Sequence, residues 1–192
     1  MALQNCVKVV LVGDKRCGKT SLSLSFTGND YPFDYVPNIY DNETVTLNLF
    51  GFQGTLTVWD TSENYSNLGA RCYAGTHVFF ICFSSTSKAS FYNVTKKWFP
   101  EIRDYCPDTP FIVVAMKSDL VGSAETDKED LVDLEEAKKL AKELGGRYME
   151  CSSLTGKGVR GLFEEAFRSG LEQTTRMKIG CPSEEKRECR IC

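Results

Sequence analysis

Apolar and polar positions along this chain follow two different periods, which predict strands that alternate with helices. Short runs rich in β-branched and aromatic residues are typical of buried parallel strands, and they lie at residues 7–12, 78–83 and 111–116. A fourth, shorter strand is predicted at 148–151. Residues 44–49 alternate between apolar and polar side chains, and so do the residues before Asp60, with a glycine-bounded turn at 51–54 between them. This alternation predicts a β-hairpin.

Apolar side chains three or four positions apart predict four helices. These span about 19–26, from about 88 to before Pro107, 134–144 and 159–171. The order of the elements favours an α/β fold with a mainly parallel six-stranded sheet, one antiparallel edge strand and helices on both faces. From residue 172 the chain is polar and lacks periodicity, so we predict one domain over 1–171 and a flexible tail over 172–192.

Composition narrows the possible functions. The 192 residues are 42% hydrophobic and 26% charged, which is the balance of one globular domain. A net charge of −3 argues against a protein that binds nucleic acid through a basic surface. No apolar run could cross a bilayer and the first residues do not resemble a signal peptide, so we expect the chain to begin and remain in the cytosol. There its nine cysteines should be mostly reduced thiols.

Residues 13–20 read GDKRCGKT, which fits the pattern G-x-x-x-x-G-K-[ST] of a phosphate-binding loop. The segment follows a predicted strand and opens a predicted helix, so backbone N–H groups and the helix dipole would face an anion. Lys19 would reach the β- and γ-phosphates and the Thr20 hydroxyl would bind Mg²⁺. The alternative is a glycine-rich turn that matches by chance.

A second set of residues predicts which base is bound. Lys117 and Asp119 follow a predicted strand, at the sheet edge where open α/β sheets bind ligands. The Asp119 carboxylate can accept hydrogen bonds from N1–H and N2–H₂ of guanine, and the aliphatic stem of Lys117 can lie along the base. The segment 152–154 follows the next strand and could offer backbone N–H groups to guanine O6. The alternative is a polar turn with an incidental aspartate.

Together these motifs resemble the Ras superfamily of small GTPases, and most of all its Rho family. The similarity runs from about residue 7 to residue 171. The stretches that carry it are YVPNIYDN at 35–42, WDT at 59–61, ICFS at 81–84, KWFPE at 97–101, CPDTP at 106–110 and ECS at 150–152. The resemblance therefore implies a P-loop small-GTPase domain that binds GTP or GDP with Mg²⁺.

The resemblance also assigns roles to particular residues. Phosphate binding falls to Lys15, Arg16, Cys17, Gly18, Lys19 and Thr20. Guanine binding falls to Tyr31, Lys117, Asp119, Ser152, Ser153 and Leu154, and Mg²⁺ binding to Thr20, Asn38 and Asp60. The effector loop comprises Tyr35, Val36, Pro37, Asn38, Ile39, Tyr40, Asp41 and Asn42. By the same resemblance the partners would be downstream effectors, an exchange factor, a GDI and a membrane, and the output would be regulation of the actin cytoskeleton.

Several residues depart from the hydrolysing members of that family. Lys15 stands where they have a glycine that leaves room for the attacking water and an arginine finger. Asn38 replaces the threonine of the first switch.

In the second switch, an alignment anchored on Leu68 and Tyr73 lacks the γ-phosphate-sensing glycine and the water-orienting glutamine altogether. A gapless alignment instead places Glu63 and Asn64 at these two positions. These changes predict weak or absent GTP hydrolysis. The replaced glycine at Lys15, together with Cys17 before Gly18, is similar to the GTPase-deficient Rnd branch. Glu63 and Asn64 are the remaining catalytic candidates.

Two further departures concern affinity and partners. Met116 replaces an asparagine or threonine that braces the phosphate loop by hydrogen bonds, so we expect some loss of nucleotide affinity. The segment 121–134 is too short for the extra helix of many Rho proteins, so partners that depend on that helix should not bind in the same way.

The chain ends in Cys189-Arg190-Ile191-Cys192, which fits C-a-a-X with Cys189 as the prenyl acceptor. A single lipid chain gives weak membrane binding, so a second signal is expected. Cys181 is a candidate site of palmitoylation, since acidic neighbours weaken the basic charge of the tail. The predicted location is thus the cytoplasm and the cytoplasmic face of membranes. The alternative is a disordered tail with incidental cysteines.

Two side chains admit more than one role. The Cys17 thiol lies at a helix N-terminus beside cations, which favours a redox switch, whereas bound phosphate would oppose thiolate formation and favour a structural thiol. His77 precedes a buried strand and is interpreted as a structural rather than a catalytic histidine.

Four functions remain in competition. The first is a membrane-tethered, Rho-like protein that stays GTP-bound. The second is a cycling GTPase in which Glu63 or Asn64 orients water and Lys15 stabilises charge. The third is a pseudo-GTPase scaffold with little nucleotide binding. A small-molecule P-loop kinase is the fourth and weakest, since the sequence shows no acceptor site or arginine-bearing lid.

Overall fold

The computed structural model describes residues 5–27, 42–49, 52–61, 72–122 and 129–179, and six strands lie within these ranges. The strands are β1 Asn5–Gly13, β2 Asn42–Leu49, β3 Phe52–Asp60, β4 Val78–Ser84, β5 Phe111–Met116 and β6 Arg147–Glu150. They form one sheet in the order β2-β3-β1-β4-β5-β6. β3, β1, β4, β5 and β6 run parallel, which confirms the predicted parallel sheet, and β2 pairs antiparallel with β3.

The described helices are α1 Lys19–Thr27, α2 Lys88–Asn93, α3 Phe99–Tyr105, α4 Leu134–Glu143 and α5 Val159–Ile179. A π-helical turn, Val94–Trp98, joins α2 to α3, so the helical run predicted from residue 88 is continuous but not uniformly α-helical. A short 3₁₀ turn, Ser118–Leu120, follows β5. None of these helices is both long and apolar enough to span a membrane.

The helices bury the two faces of the sheet in two separate apolar clusters. On one face α1 and α5 pack on the sheet, where the rings of Phe26 and Phe163 stack at 3.7 Å between centroids. On the other face Val94, Trp98 and Ile102 of the helical run lie against the sheet, together with Ala137 and Ala141 of α4. Both faces are covered, so binding residues are left to the loops at the strand ends.

Helix α5 continues beyond the predicted end at residue 171, to Ile179. The residues past 171 lack an apolar period, and their described side chains make polar bonds. The hydroxyls of Thr174 and Thr175 each donate to the carbonyl four residues earlier, both at 2.9 Å, and the Gln173 amide donates to the Asp108 carbonyl at 3.4 Å. The helical periodicity that sets the domain boundary at 171 therefore marks the end of the buried stripe rather than the end of the helix.

The edges of other elements also shift. Strand β6 begins and ends one residue before the predicted strand at 148–151. Asn42, which the resemblance places in the effector loop, is the first residue of β2 and pairs with Trp59 of β3. The ends of β2 and β6 are set by hydrogen bonds between strand backbones, which the pattern of side chains in the sequence does not predict.

Candidate nucleotide-binding site

The phosphate loop connects the end of β1 to the start of α1, as its sequence predicts. Gly13 has φ of 148°, and a Cβ atom there would lie 2.2 Å from the carbonyl oxygen of Cys82 in β4. Gly18 has φ of 109°. Glycine is needed at both positions because side chains rarely tolerate such φ values. The loop is therefore pressed directly onto β4.

Lys19 directs its ammonium group back across this loop. Its side chain is only 5% exposed, and Nζ donates hydrogen bonds to the carbonyl oxygens of Gly13 at 2.7 Å and Asp14 at 2.8 Å. A buried ammonium needs oxygen partners of this kind. The cation is thereby held at the mouth of the loop, where it can meet a phosphate.

Thr20 and Asp60 supply the oxygen atoms expected of a magnesium site. The Thr20 hydroxyl donates to the Asp60 carboxylate, which brings the start of α1 to the end of β3. Asp60 is largely buried, and β3 lies beside β1 in the sheet. A hydroxyl and a carboxylate at this spacing fit Mg²⁺, which prefers oxygen ligands and keeps several waters.

The loop carries three further charged side chains. Lys15 and Arg16 are exposed, and Arg16 has φ of 61°. Asp14 points the other way, and its carboxylate accepts hydrogen bonds from Asn93 Nδ2 at 2.7 Å and Trp98 Nε1 at 2.8 Å. The sequence identified neither Asn93 nor this role of Trp98, because residues five positions apart do not share a face of an α-helix.

The predicted guanine-binding residues that the structure describes lie in two loops, one after β5 and one after β6. The two loops contact each other. Lys117 adopts φ of 59° and ψ of 40°, and the 3₁₀ turn that carries Asp119 follows it. The Ser118 N–H donates to the Cys151 carbonyl at 3.1 Å, which joins the two loops. Lys117 and Asp119 are thus adjacent to the segment 152–154, as the sequence predicts.

Ser152 has a different role from the predicted one. Its N–H donates to the Lys157 carbonyl at 2.9 Å, and its hydroxyl accepts from the Thr155 N–H at 3.1 Å. Its N–H is therefore engaged within its own loop, so we correct the prediction that it serves guanine O6. Ser153 and Leu154 stay as the predicted donors, with Leu154 exposed.

Beneath the phosphate loop lies a group of sulfur-containing side chains, the sulfur floor: Cys17, Cys82, Met116 and Cys151. All four are buried in one cluster. The Cys151 thiol lies 3.5 Å from the Met116 sulfur, and Met116 Cε lies 3.4 Å from where a Cβ of Gly18 would be. Met116 thus packs against the loop by apolar contact, in place of the hydrogen bonds of an amide.

The environment of these thiols favours one of the two roles considered for Cys17. Burial raises the pKa of the Cys17 thiol, although nearby Lys19 opposes the change. Burial likewise raises the pKa of Cys151 to about 12, and that of Cys82 well above its ordinary value. Because the thiolate is the reactive form, these groups are structural rather than redox-active.

His77 has the structural role that its position predicts. Its ring Nδ1 accepts a hydrogen bond from the backbone N–H of Lys8 at 3.0 Å, and the backbone N–H of His77 donates to the Lys8 carbonyl at 2.9 Å. Burial, with a smaller contribution from Lys8, lowers the pKa of His77 and favours the neutral ring.

Other predicted site residues lie outside the described ranges. They are Tyr31, Tyr35, Val36, Pro37, Asn38, Ile39, Tyr40, Asp41, Glu63, Asn64, Cys181 and Cys189. Their assigned roles stay predictions.

Comparison with known families identifies the class of protein. Residues 8–172 match the model of the Ras family. The match spans most of the chain, so this chain belongs to the Ras family and is a small GTP-binding protein with a P-loop. Proteins of this family generally bind guanine nucleotide with Mg²⁺ and interact with effectors, exchange factors and GDIs. The phosphate loop, the Thr20–Asp60 pair and the loop of Lys117 and Asp119 all lie within the matched range.

Proposed function

We propose that this chain is a Rho-like signalling protein that holds GTP with Mg²⁺ and hydrolyses it weakly or not at all. The observation that carries the proposal is Lys15. Its long cationic side chain stands in the phosphate loop, exposed, where the hydrolysing proteins that this chain resembles have glycine. The loop is fixed on either side of it, by Asp14 and by Lys19.

Binding and hydrolysis place different demands on this loop. Binding needs a phosphate-facing cation, a metal pair and a base-recognition loop, and Lys19, the Thr20–Asp60 pair and Asp119 fit these needs. Hydrolysis further needs space for an in-line water and a residue that orients it. By the resemblance, Lys15 would take up that space, so the chain would retain the parts for binding and lose a part for turnover.

The sequence of the switches supports the same conclusion. Asn38 replaces the threonine that, in the proteins this chain resembles, contacts both Mg²⁺ and γ-phosphate. Neither Glu63 nor Asn64 is the glutamine that usually orients water. A protein of this kind would signal while GTP-bound and would be controlled by its abundance and location. Its effectors, bound through residues 35–42, would act on the actin cytoskeleton.

We also propose that the tail tethers the protein to a membrane through prenylated Cys189, with palmitoylated Cys181 as the second signal. The support is the C-a-a-X sequence and the lack of a strong basic patch in the tail. The membrane-bound fraction of the full chain in cells should fall strongly with Cys189→Ser and partly with Cys181→Ser. A membrane fraction unchanged by Cys189→Ser would reject the tether.

The hydrolysis proposal is tested by single turnover of GTP loaded onto the full chain. We expect a rate below the ~3 × 10⁻⁴ s⁻¹ of an ordinary small GTPase without its activator. Lys15→Gly should raise the rate, because it restores space beside the γ-phosphate. Lys139→Ala, which removes an exposed cation from α4, is the matched control and should change nothing. A wild-type rate typical of small GTPases, or strong acceleration by a Rho-type activating protein, would contradict the proposal.

Met116 favours a second candidate, a pseudo-GTPase scaffold. This side chain makes an apolar contact where related proteins brace the loop by hydrogen bonds. Nucleotide extracted from freshly purified protein and separated by chromatography distinguishes the candidates. Stoichiometric GTP supports the main proposal, stoichiometric GDP indicates a cycling GTPase, and an empty protein supports the scaffold.

A further inference from the structure

The carboxylate of Asp14 is fixed by two donors from the helical run on the far side of β1. Asn93 Nδ2 donates to one oxygen at 2.7 Å and Trp98 Nε1 donates to the other at 2.8 Å. The Trp98 ring is 5% exposed, and the Lys97 ammonium lies 4.1 Å from the centre of its ring system. We call Asp14, Asn93 and Trp98 the Asp14 clamp.

The π-helical turn makes this clamp possible. In a regular α-helix, two residues five apart point about 140° away from each other. The turn at Val94–Trp98 is wound more widely, and the Phe99 N–H bonds to the Val94 carbonyl, five residues earlier. This winding brings residues five apart nearer to one side, so Asn93 and Trp98 can reach the same carboxylate.

The Asp14 clamp is connected through the Asp14 backbone to Lys19, the cation that would contact a phosphate. The same residue whose carboxylate is clamped offers its backbone carbonyl to Lys19 Nζ at 2.8 Å, beside the Gly13 carbonyl at 2.7 Å. Rotation of the Asp14 peptide would remove one of these two oxygens from Lys19. We propose that Asn93 and Trp98 are positioning residues, which act through Asp14 to hold Lys19 in place for nucleotide phosphate.

The inference rests on the proposed function only in taking a guanine nucleotide as the ligand. It accounts for how the loop is braced without an amide at residue 116. On the side of the sulfur floor, Met116 lies against Gly18 of the loop through carbon atoms, and its sulfur contacts the Cys151 thiol. On the opposite side, the Asp14 clamp supplies two hydrogen bonds to a charged acceptor, and such bonds are stronger than bonds between neutral groups.

The test measures the release of methylanthraniloyl-labelled GDP from the full chain in the presence of Mg²⁺ and excess unlabelled GDP. Trp98→Phe keeps an aromatic ring and removes one charge-assisted hydrogen bond, which should speed release about tenfold. Asn93→Ala should have a similar effect. Asp14→Ala, which removes both bonds, should have the largest effect of the three.

Coupling between the variants separates positioning from general packing. In the Asp14→Ala background, Trp98→Phe should cause little further change, because the indole N–H no longer has a carboxylate to hold. Asp14→Asn should restore much of the retention, because its amide can accept from Trp98 and donate to Asn93 after the Asn93 amide turns over. The indole N–H resonance of Trp98 should shift in Asp14→Ala and less in Asp14→Asn.

Tyr73→Phe is the matched control. It removes a hydrogen bond of 2.6 Å to Glu101, on the same helical run but away from the phosphate loop. It should lower the melting temperature and leave release unchanged. Melting temperatures of all variants show that each is folded at the assay temperature.

Three results would overturn the inference. One is release within twofold of wild type in Trp98→Phe and Asn93→Ala, and another is full additivity of Trp98→Phe with Asp14→Ala. The third, wild-type protein that retains no labelled GDP, would also reject the proposed function. In the first two cases nucleotide is retained by the wild type, so the positioning role fails while the proposed function stands.

Discussion

The two sides of the phosphate loop are supported by opposite kinds of interaction. On the side of α5, the sulfur floor contacts the loop through soft, apolar atoms, with Cys17 and Met116 buried. On the side of the helical run, the Asp14 clamp holds the loop by two directed hydrogen bonds. Apolar contact is tolerant of small displacements, whereas a bidentate arrangement of donors fixes a position.

We therefore expect the two sides to affect different quantities: one the stability of the fold, the other how well the loop holds nucleotide. The sulfur floor belongs to the apolar cluster that α1, α5 and the sheet share, so changes there should act mainly on the free energy of unfolding. The clamp lies outside that cluster and touches the residue that holds Lys19, so changes there should act mainly on nucleotide release. Beside the clamp variants above, three substitutions test the other supports of the loop: one where it meets β4 and two in the sulfur floor.

The largest effect is expected where the loop meets the sheet, at Gly13. In Gly13→Ala the new methyl would lie 2.2 Å from the backbone carbonyl of Cys82, and φ is 148°. The methyl carbon is bonded directly to the backbone and the oxygen belongs to the main chain of β4, so the loop or β4 must move. We expect the free energy of unfolding to fall by about 3 kcal/mol, measured by urea denaturation.

Gly145→Ala is the control for this substitution. Gly145 also has a positive φ, 79°, but a Cβ there meets no atom within 4 Å. It should lose only about 1 kcal/mol, the strain of the left-handed conformation alone. Equal losses in the two variants would show that backbone strain, and not the close approach to β4, accounts for the glycine at residue 13.

Sequence and structure agree where one local pattern decides the outcome. The apolar run at 111–116 gives strand β5, and the loop motif with its glycines gives the turn from β1 to α1. The Asp14 clamp was beyond prediction because it depends on a π-helical turn, which has no distinct composition. The polar end of α5 was missed because helical periodicity reports burial, and residues 172–175 are helical although none of them is buried.

The burial of the sulfur floor should make the free energy of unfolding depend on pH. The pKa of Cys151 is raised by burial to about 12 from 9.0, so the unfolded chain loses that proton first as pH rises. The folded state is therefore favoured below pH 9, and this contribution is lost between pH 9 and 12. By pH 10 the loss amounts to about 1.4 kcal/mol.

Cys151→Ala removes this titration and isolates it from other groups. The difference in unfolding free energy between wild type and Cys151→Ala, measured at pH 7 and pH 10, should shrink by that amount at the higher pH. Cys6→Ala, at an exposed thiol, serves as the control for loss of a thiol and should change the unfolding free energy at pH 7 little. A difference that stays constant with pH would show that the Cys151 thiol is not shielded from water in solution.

The smallest effect is expected from Met116→Asn, which replaces apolar support by a polar brace. A new amide under Gly18 can donate to the backbone of the loop, as in the proteins that this chain resembles, and one hydrogen bond should slow release of labelled GDP about fivefold. Met116→Leu, which keeps volume and apolar character, should leave release unchanged. If Met116→Asn speeds release instead, the buried amide finds no partner and the apolar contact is itself what orders the loop. The clamp and the sulfur floor would then contribute jointly to nucleotide retention, and the separation between stability and precision would not hold on this side of the loop.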